Sequence, residues 1–444
     1  MTADLMSSLP SELTDVTHAR GDDVYSAAAT VYVRTGSPAL VVRPETPEQV
    51  AAAIQHAVAQ RLPLSIRGGG HSVQAWGTND DGLVVDMSAF AAVEVLGDER
   101  VRVGAGARWG DVATTLGAHG LALTSGDTRS VGVGGLTTGG GIGWMVRNHG
   151  LTIDSLVSAD IVTVDGRVLH LTETENADLF WAIRGGGGNF GVLTGFEFVP
   201  QRVTTVHAGM IMYAPDDVPG VLRGWVDAHR DGPEELNSTL VFFPELGDPM
   251  PPAGLMGLVC YAGADEAAAA AAFAPLLSLG TVRMSQIDEK PYADVLEEAH
   301  PPPGVRAMAS NTLVERVDDR VVDAVDRFYA GGTTGRMMFV RALGGAMNRV
   351  AADATAVAHR NVEALVLGGL FASEETSDAE MLERLQPFEE FHGLGVGSYP
   401  GFVATNLPGD VERIYPPATL ARLREVKRTH DPDNVFRNNF NIAP

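Results

Sequence analysis

The sequence predicts a protein of the α/β or α+β class with two or three domains, and three observations support this. The chain has 444 residues, too many for one ordinary hydrophobic core. Before Val203, short apolar runs alternate with helical patterns and with most of the glycine clusters, which is typical of cofactor-binding domains of these classes. From Val203 to about Val403, glycine clusters become rarer and alanine-rich segments alternate with strands, which indicates a separate domain.

The composition is that of a soluble globular protein, with 45% hydrophobic and 20% charged residues. The formal net charge of -24 argues against nucleic acid or an anionic membrane as a partner, because both bind basic surfaces. No signal peptide is visible, and no segment has the roughly 18 apolar residues of a membrane span, so the expected location is the cytoplasm. The single cysteine, Cys260, excludes an intrachain disulfide and a cysteine-based zinc site, and its surroundings, GLVCYAG, predict a buried strand.

The N-terminal elements follow from local signals. The segment PALVVRP predicts a strand, and a helix follows it with Thr46 as N-cap, Pro47 in the first position and Gln49 completing a capping box. This helix is expected to end near Arg61. The next strand, LPLSIR, leads directly into the glycine run 68–70.

Alternation predicts further strands in GLVVDMS, RVRVGAG and SADIVTVDGRVLHLT, the last with a turn at Asp165-Gly166, and ARWGDVATTLGAHG predicts a helix. In the middle of the chain, DEAAAAAAFAPLL and VAADATAVAHRNVEAL predict helices, whereas STLVFF and GLMGLVCYAG predict strands. Near the C-terminus, YPPATLARLREVKRTH predicts a helix and DPDNVFRNNFNIAP a closing loop.

Three glycine-rich loops indicate a phosphate-bearing ligand: RGGGHS at 67–72, SVGVGGLTTGGGIG at 130–143 and RGGGGNFG at 184–191. Glycine lets the backbone approach a ligand closely, so that N–H groups converge on a pyrophosphate. A nicotinamide-binding Rossmann domain is disfavoured, because no clear strand leads directly into VGVGGLTTGGG with an acidic residue about 20 positions on.

Four segments, in this order, resemble those of the berberine-bridge-enzyme-like oxidases of the vanillyl-alcohol-oxidase superfamily. They are RGGGHSVQAWGTNDDGLVVDMS, SGDTRSVGVGGLTTGGGIGWMVRNHGLTIDSL, ENADLFWAIRGGGGNFGVLTGFEF and KRTHDPDNVFRNNFNIAP. The resemblance implies an α+β fold with a two-lobed PCMH-type FAD-binding domain, formed by residues 1–202 and 406–444. It also implies an inserted substrate-binding domain at 203–405, in which helices back an antiparallel sheet.

The resemblance implies that His71 bonds covalently to the 8α carbon of FAD. Many relatives form a second bond through a cysteine where this chain has Thr128, so a single bond is expected. Val133 matches a position where small side chains leave oxygen access to the flavin, which favours an oxidase. The other implied cofactor-binding residues are Arg67, Gly68, Gly69, Gly70, Ser72, Ser125, Gly126, Asp127, Val131, Gly132, Gly135, Thr138, Gly139, Gly191, Val192, Asn439 and Asn441. Simple turn formation also explains the two asparagines.

The catalytic base is not evident, because several relatives carry a Tyr-x-Asn-Tyr pattern where this chain has GFVATNLPGD, with Phe402 and Thr405 in place of the tyrosines. The remaining candidates for removing a substrate proton are Tyr399, Tyr415, Tyr261 and Glu315, of which Tyr399 is nearest the expected strand.

The predicted function is that of an FAD-linked oxidase in specialised metabolism. It would take a hydride from a small alcohol, amine or phenolic natural product onto flavin N5 and reduce O2 to H2O2. A flavin dehydrogenase with another acceptor and a flavin-binding protein with decayed catalysis are the alternatives. The expected partners are the substrate and O2, in a monomer or homodimer.

Overall fold

The computed structural model describes residues 2–97, 100–243, 253–298, 305–330 and 335–444. It confirms the α+β class, with three main sheets and the helices packed around them. The strands before Val203 are β1 (Thr17–His18), β2 (Thr30–Val31), β3 (Arg34–Thr35), β4 (Leu40–Val42), β5 (Leu64–Arg67), β6 (Leu83–Asp86), β7 (Val93–Val95), β8 (Val101–Gly104), β9 (Leu156–Val162), β10 (Val168–Leu171) and β11 (Val192–Phe198). The helices there are α1 (Thr2–Ser7), α2 (Asp23–Ala29), α3 (Pro47–Ala59), α4 (Trp109–Gly117), α5 (Val133–Thr138), α6 (Val146–His149) and α7 (Ala177–Ile183).

These strands form a sheet of order β1-β4-β6-β5, in which β4, β6 and β5 are parallel, and an antiparallel sheet of order β10-β9-β11-β8-β7. The helix start predicted at Thr46 is confirmed, since its Oγ1 accepts the N–H of Gln49 at 3.3 Å. The Gln49 side chain accepts from the N–H of Glu45 rather than of Thr46. Helix α3 ends at Ala59, two residues before Arg61.

The middle of the chain forms one large antiparallel sheet, named here the large sheet, in the order β15-β12-β14-β13-β17-β18-β16. Its strands are β12 (Thr205–Tyr213), β13 (Leu236–Phe243), β14 (Gly254–Tyr261), β15 (Val282–Pro291), β16 (Val305–Val314), β17 (Arg336–Ala342) and β18 (Ala364–Ser373). The helices of this region are α8 (Val218–Asp231), α9 (Glu266–Leu277), α10 (Asp319–Ala330), α11 (Ala346–Arg349), α12 (Asp378–Leu385) and α13 (Glu389–His392). Two helices follow, α14 (Asp410–Ile414) and α15 (Pro417–His430).

The two faces of the large sheet have different neighbours. On one face, residues such as Phe242 and Val340 form a core with helices α8, α9, α10 and α12. On the other face, Ala208 and Cys260 join the core of the N-terminal sheets. Cys260 is fully buried, which confirms the prediction of a buried strand, and burial raises the pKa of its thiol to about 12.

The helix predicted over VAADATAVAHRNVEAL is wrong, because residues 350–363 form turns and extended chain. Tertiary contacts override the helix propensity of the alanines here. The backbone C=O of Asp353 accepts from Trp181 Nε1 at 2.9 Å, and the N–H of Ala356 donates to the C=O of Arg184 at 2.9 Å. The buried Arg360 guanidinium binds both carboxylate oxygens of Asp154, at 2.8 and 2.9 Å.

The C-terminal tail is fastened to the N-terminal sheets by a buried lysine. Lys427 Nζ, on α15, donates to the C=O of Asn189 at 2.8 Å, the C=O of Phe436 at 2.9 Å and Asp431 Oδ2 at 2.7 Å. Both side chains of the Lys427–Asp431 pair are fully buried. These contacts place the tail beside the third glycine loop. Among the described residues, no helix has the length and apolar character needed to cross a membrane.

Candidate active site

The first two glycine loops pack backbone against backbone. A Cβ atom on Gly69 would lie 2.2 Å from the N of Gly132, and one on Gly132 would lie 2.1 Å from the N of Gly69. Only glycine permits such a close approach at both positions. The contact brings residues 67–72 and 130–143, which are far apart in the sequence, onto one surface.

His71 lies at the end of the first loop and heads a chain of hydrogen bonds. Its Nε2 is 2.9 Å from Ser130 Oγ, and that hydroxyl donates to Glu298 Oε2 at 2.6 Å. Because the Ser130 proton is used toward Glu298, the hydroxyl accepts from His71 Nε2–H, which leaves the lone pair of a neutral imidazole on Nδ1. The Tyr32 ring stacks on the imidazole at 5.0 Å between centroids.

Two other residues of the first loop have local partners. Arg67, at the end of β5, forms an ion pair with Asp86 at 3.1 Å between Nη1 and Oδ1, and both side chains are largely buried. Ser72 Oγ donates to Gln74 Oε1 at 3.1 Å. These contacts order the loop on both sides of its glycines.

The segment 125–128 joins the N-terminal sheets to the large sheet. Asp127 receives two hydrogen bonds from the guanidinium of Arg341 on β17, one of them 3.0 Å long. Arg341 is only 5% exposed, and its guanidinium lies over the Trp144 ring at 5.0 Å. Thr128 forms a β-bridge with Glu297, which places the position of the expected second flavin bond beside the chain that follows β15.

Space and unsatisfied polar atoms in this region fit a large polar cofactor such as FAD. A Cβ on Gly135 would meet no atom within 4 Å, and one on Gly68 would meet only the C=O of Ala105, at 3.7 Å. Several buried oxygens have no hydrogen-bond partner among the described residues, and four of them belong to the predicted cofactor segments or lie next to them: Thr124 Oγ1, Thr137 Oγ1, Asn439 Oδ1 and Asn441 Oδ1. Open glycine backbone suits phosphate, and the asparagine amides suit the polar edge of a ring.

The other predicted cofactor residues are mostly part of the packed scaffold. Val133 is fully buried in the core of the N-terminal sheets, so its side chain does not border open space. Val131 packs against the same core, and Thr138 Oγ1 donates to the C=O of Gly134 at 2.9 Å. Ser125 Oγ is 3.4 Å from Tyr292 Oη, and a Cβ on Gly126 would touch Leu136. Gly70 has a positive φ, and Gly139 is the C-cap of α5. Gly191 lies against the Val162 backbone, and Val192 is buried at the start of β11.

Two of the four candidate bases, Tyr399 and Tyr415, line one small cavity of about 20 Å³ between the N-terminal part and β16, which is room for about one water molecule. Tyr399 Oη accepts the N–H of Gly141 at 3.1 Å, and the Asn311 side chain binds the backbone N–H and C=O of Tyr399. Burial raises the pKa of Tyr399, although the N–H groups of Gly141 and Ile142 oppose this shift. Tyr415 donates to the C=O of Gly185 at 3.1 Å, and burial raises its pKa too.

The other two candidates lie elsewhere. Tyr261 belongs to the helix-facing core of the large sheet, where its ring packs edge-on against the Phe273 ring with 6.5 Å between the ring centroids. Glu315 is exposed just after β16, 3.5 Å from Asn361 Nδ2. Of the residues that replace the family tyrosines, Phe402 packs beside Tyr399, and Thr405 Oγ1 donates to Asp410 Oδ2 at 3.0 Å.

Several residues of this region were missed by the sequence reasoning, among them Ser130, Glu298, Arg341 and Tyr32. The serine could have been suspected, because it opens the loop SVGVGG. Glu298 is 168 residues from Ser130, and Arg341 is 214 residues from Asp127, and no local pattern reports contacts over such separations.

Two family models match parts of this chain. The family model described as FAD binding domain matches residues 38–172, and the one described as berberine and berberine like matches residues 398–443. The FAD-linked oxidoreductase YgaK of Bacillus subtilis is 29% identical over 92% of this chain and 91% of that protein.

Solved structures show the same fold over the full length. The crystal structure of 6-hydroxy-D-nicotine oxidase from Arthrobacter nicotinovorans has a TM-score of 0.86 and 25% identity, and the match covers 96% of this chain and 97% of that one. Glucooligosaccharide oxidase from Acremonium strictum has a TM-score of 0.84 and 24% identity, with 100% and 99% of the chains covered. The protein is an FAD-linked oxidoreductase and belongs to the berberine-bridge-enzyme-like family.

Proposed function

We propose that this enzyme oxidises a small alcohol, amine or phenol with FAD that is bonded to His71 and with O2 as the electron acceptor. The observation that carries the proposal is the chain from His71 through Ser130 to Glu298, which favours the tautomer with the proton on Nε2 and the lone pair on Nδ1. A lone pair on a held imidazole is what a bond to the 8α carbon requires. FAD supplies an acceptor for two electrons and a proton, taken from the substrate as a hydride.

Two features of the chain, Thr128 and the position of Cys260, support a single covalent bond between the protein and FAD. The solved glucooligosaccharide oxidase structure is described as containing a 6-S-cysteinyl, 8α-N1-histidyl FAD, thus two bonds in that enzyme. Here Thr128 stands where the second bond is expected, and a threonine hydroxyl cannot replace a thiolate in it. The single cysteine of the chain, Cys260, lies fully buried in β14.

The residues around the ring have separate tasks in this proposal. The open backbone at Gly68 and Gly135 would receive the pyrophosphate, and Asn439 and Asn441 would bind the polar edge of the ring. Tyr399 is the proposed group for moving the substrate proton, since its O–H proton is not used in its contact with Gly141. Its raised pKa keeps the phenol protonated at neutral pH, so Tyr399 must pass its own proton on before it accepts one from the substrate.

The covalent bond is tested by precipitating and washing the purified protein in acid. We expect the wild-type pellet to remain yellow and the peptide that contains His71 to carry the mass of FAD. His71→Ala should give a colourless pellet, and His119→Ala, at an exposed histidine, should remain yellow. A colourless wild-type pellet would contradict covalent attachment and leave the family membership intact.

Oxygen use is tested separately. After anaerobic reduction by dithionite, air should restore the flavin colour within seconds and release one equivalent of peroxide. Slow reoxidation by air together with fast reoxidation by a quinone or dye would instead identify a dehydrogenase. The buried position of Val133 gives no independent support to either outcome.

A further inference from the structure

The face of the large sheet that is turned toward the N-terminal part carries an unusual number of methionines. Side chains alternate along each strand, and Ile211 and Tyr213 of β12 point into the helix-facing core, so Met210 and Met212 point the other way. The same alternation places further residues on this face: Met256 of β14, and Met337 and Phe339 of β17. These five residues, together with Met284 of β15, are named here the methionine face.

Cross-strand pairs make this face continuous. Met284 pairs with Met212, Met212 with Met256, Met256 with Val241, and Val241 with Phe339. Met210, Met212, Met256, Met337 and Phe339 are all partly exposed, and Met284 is 49% exposed. The four partly exposed methionines belong to none of the hydrophobic clusters formed by the described residues. In the described part of the chain, these four methionines therefore lie outside the hydrophobic cores, whereas Phe339 packs against the core that contains Leu365 and Leu367.

The methionine face adjoins the predicted flavin segment. Phe339 precedes Arg341 by two positions on β17, so the two side chains point the same way about 7 Å apart. Arg341 holds Asp127 of the segment 125–128. Leu258, which pairs with Met210, packs against the core of the N-terminal sheets. The face thus lies beside the place where the proposed flavin ring meets the large sheet.

On β13, β16 and β17, the described polar side chains of this face are engaged, with one exception. Arg341 is paired with Asp127, the Asn311 amide is used by the Tyr399 backbone, and Asn237 accepts the N–H of Arg147. Thr239 lies between Leu258 and Arg341 in the cross-strand register and is 6% exposed. Its Oγ1 has no hydrogen-bond partner in the described part of the chain.

A buried hydroxyl without a partner costs about 1–3 kcal/mol, so a hydrogen bond from Thr239 to a ligand or to a water molecule would be favourable. Methionine side chains are flexible and polarisable and make favourable contacts with aromatic rings, but they offer almost no hydrogen bonding. An oligosaccharide would bury many hydroxyl groups against this face without partners. An aromatic molecule with one polar substituent would leave no such group buried without a partner.

We propose that the methionine face binds an aromatic alcohol, amine or phenol, and that Thr239 hydrogen-bonds its one polar substituent. The proposal rests on the flavin site proposed above and names the substrate class for it. Thr239 and the methionines bind and orient the substrate. Sugars are excluded, because the methionines offer no hydrogen-bond partners for their hydroxyl groups.

The experiment measures ligand binding to the flavin-loaded protein by calorimetry and by perturbation of the visible flavin spectrum, without turnover. The probes are para-hydroxybenzyl alcohol, tyramine and cellobiose. We expect at least one aromatic probe to bind saturably and cellobiose not to bind. Thr239→Val, which keeps the shape and removes the hydroxyl, should weaken aromatic binding about tenfold, and Thr239→Ser should restore it.

Met256→Gln should also weaken aromatic binding, because it places an amide on the apolar face, whereas Met6→Gln, at an exposed methionine of α1, should bind as the wild type does. Tight cellobiose binding, binding of no aromatic probe, or aromatic binding that Thr239→Val and Met256→Gln leave unchanged would each overturn the proposal. Failure of the proposed function is seen separately, as protein that retains no flavin.

Discussion

At the scale of single residues, the hydrogen-bond chain behind His71 gives a prediction that an isolated histidine would not. If Ser130 and Glu298 hold the imidazole and its proton, Ser130→Ala and Glu298→Gln should lower the fraction of covalently bound flavin several-fold, because the lone pair is then no longer kept on Nδ1. The measurement is the fluorescence of the protein band after denaturing electrophoresis in acid, with total bound flavin determined beforehand.

Ser130→Thr keeps the hydroxyl and is expected to restore the covalent fraction, while Ser26→Ala, at an exposed serine, serves as the control. Wild-type covalent fractions in both Ser130→Ala and Glu298→Gln would show that these two residues do not position His71.

At the scale of elements, local sequence signals predicted what local physics decides. The N-cap at Thr46, the strand around Cys260 and the helix over residues 417–430 depend on periodicity and capping, and all three are confirmed. The helix predicted over residues 350–363 is wrong because the conformation of this segment is set by distant partners. The Asp154 carboxylate binds the Arg360 guanidinium, and the Trp181 indole N–H donates to the C=O of Asp353. Neither contact can be predicted from the sequence around these residues.

The packing of α8 on β13 makes folding stability depend on pH. His229 Nδ1 donates to the C=O of Trp225, its Nε2 is 2.8 Å from Ser238 Oγ, and burial lowers its pKa to about 3 from 6.5. Between those pH values the unfolded chain binds a proton that the folded chain does not bind. The free energy of unfolding should therefore fall as the pH is lowered through this range, by about 1.4 kcal/mol per pH unit from this residue.

Urea denaturation at about pH 7.5 and about pH 5.5 tests this prediction. His229→Gln should lower stability at the higher pH and show a smaller loss between the two pH values than the wild type. His119→Gln, at an exposed histidine, should follow the wild type. An equal loss in His229→Gln and the wild type would contradict a neutral buried histidine.

At the scale of the whole molecule, the site exists only where separate parts of the chain meet. The glycine loops could be recognised from their composition, because each is a contiguous run. The methionine face could not, since Met212, Met256 and Phe339 come from three strands and become neighbours only through the register of the large sheet. The same holds for Asp127 and Arg341, which join the segment 125–128 to that sheet.

That ion pair gives the prediction for the molecule as a whole. The Arg341 side chain is 6% exposed, so Asp127→Asn leaves a nearly buried guanidinium without its counter-charge and should lower the free energy of unfolding by roughly 3 kcal/mol. Arg341→Met removes the charge together with the hydrogen bonds and should cost less, and the double variant should be more stable than the sum of the two losses predicts. Glu234→Gln, which breaks the exposed pair with Arg349, should have a much smaller effect. Urea denaturation of the wild type, the two single variants and the double variant, all with bound flavin, measures the coupling. Strictly additive losses would mean that the pair does not connect the two parts of the molecule.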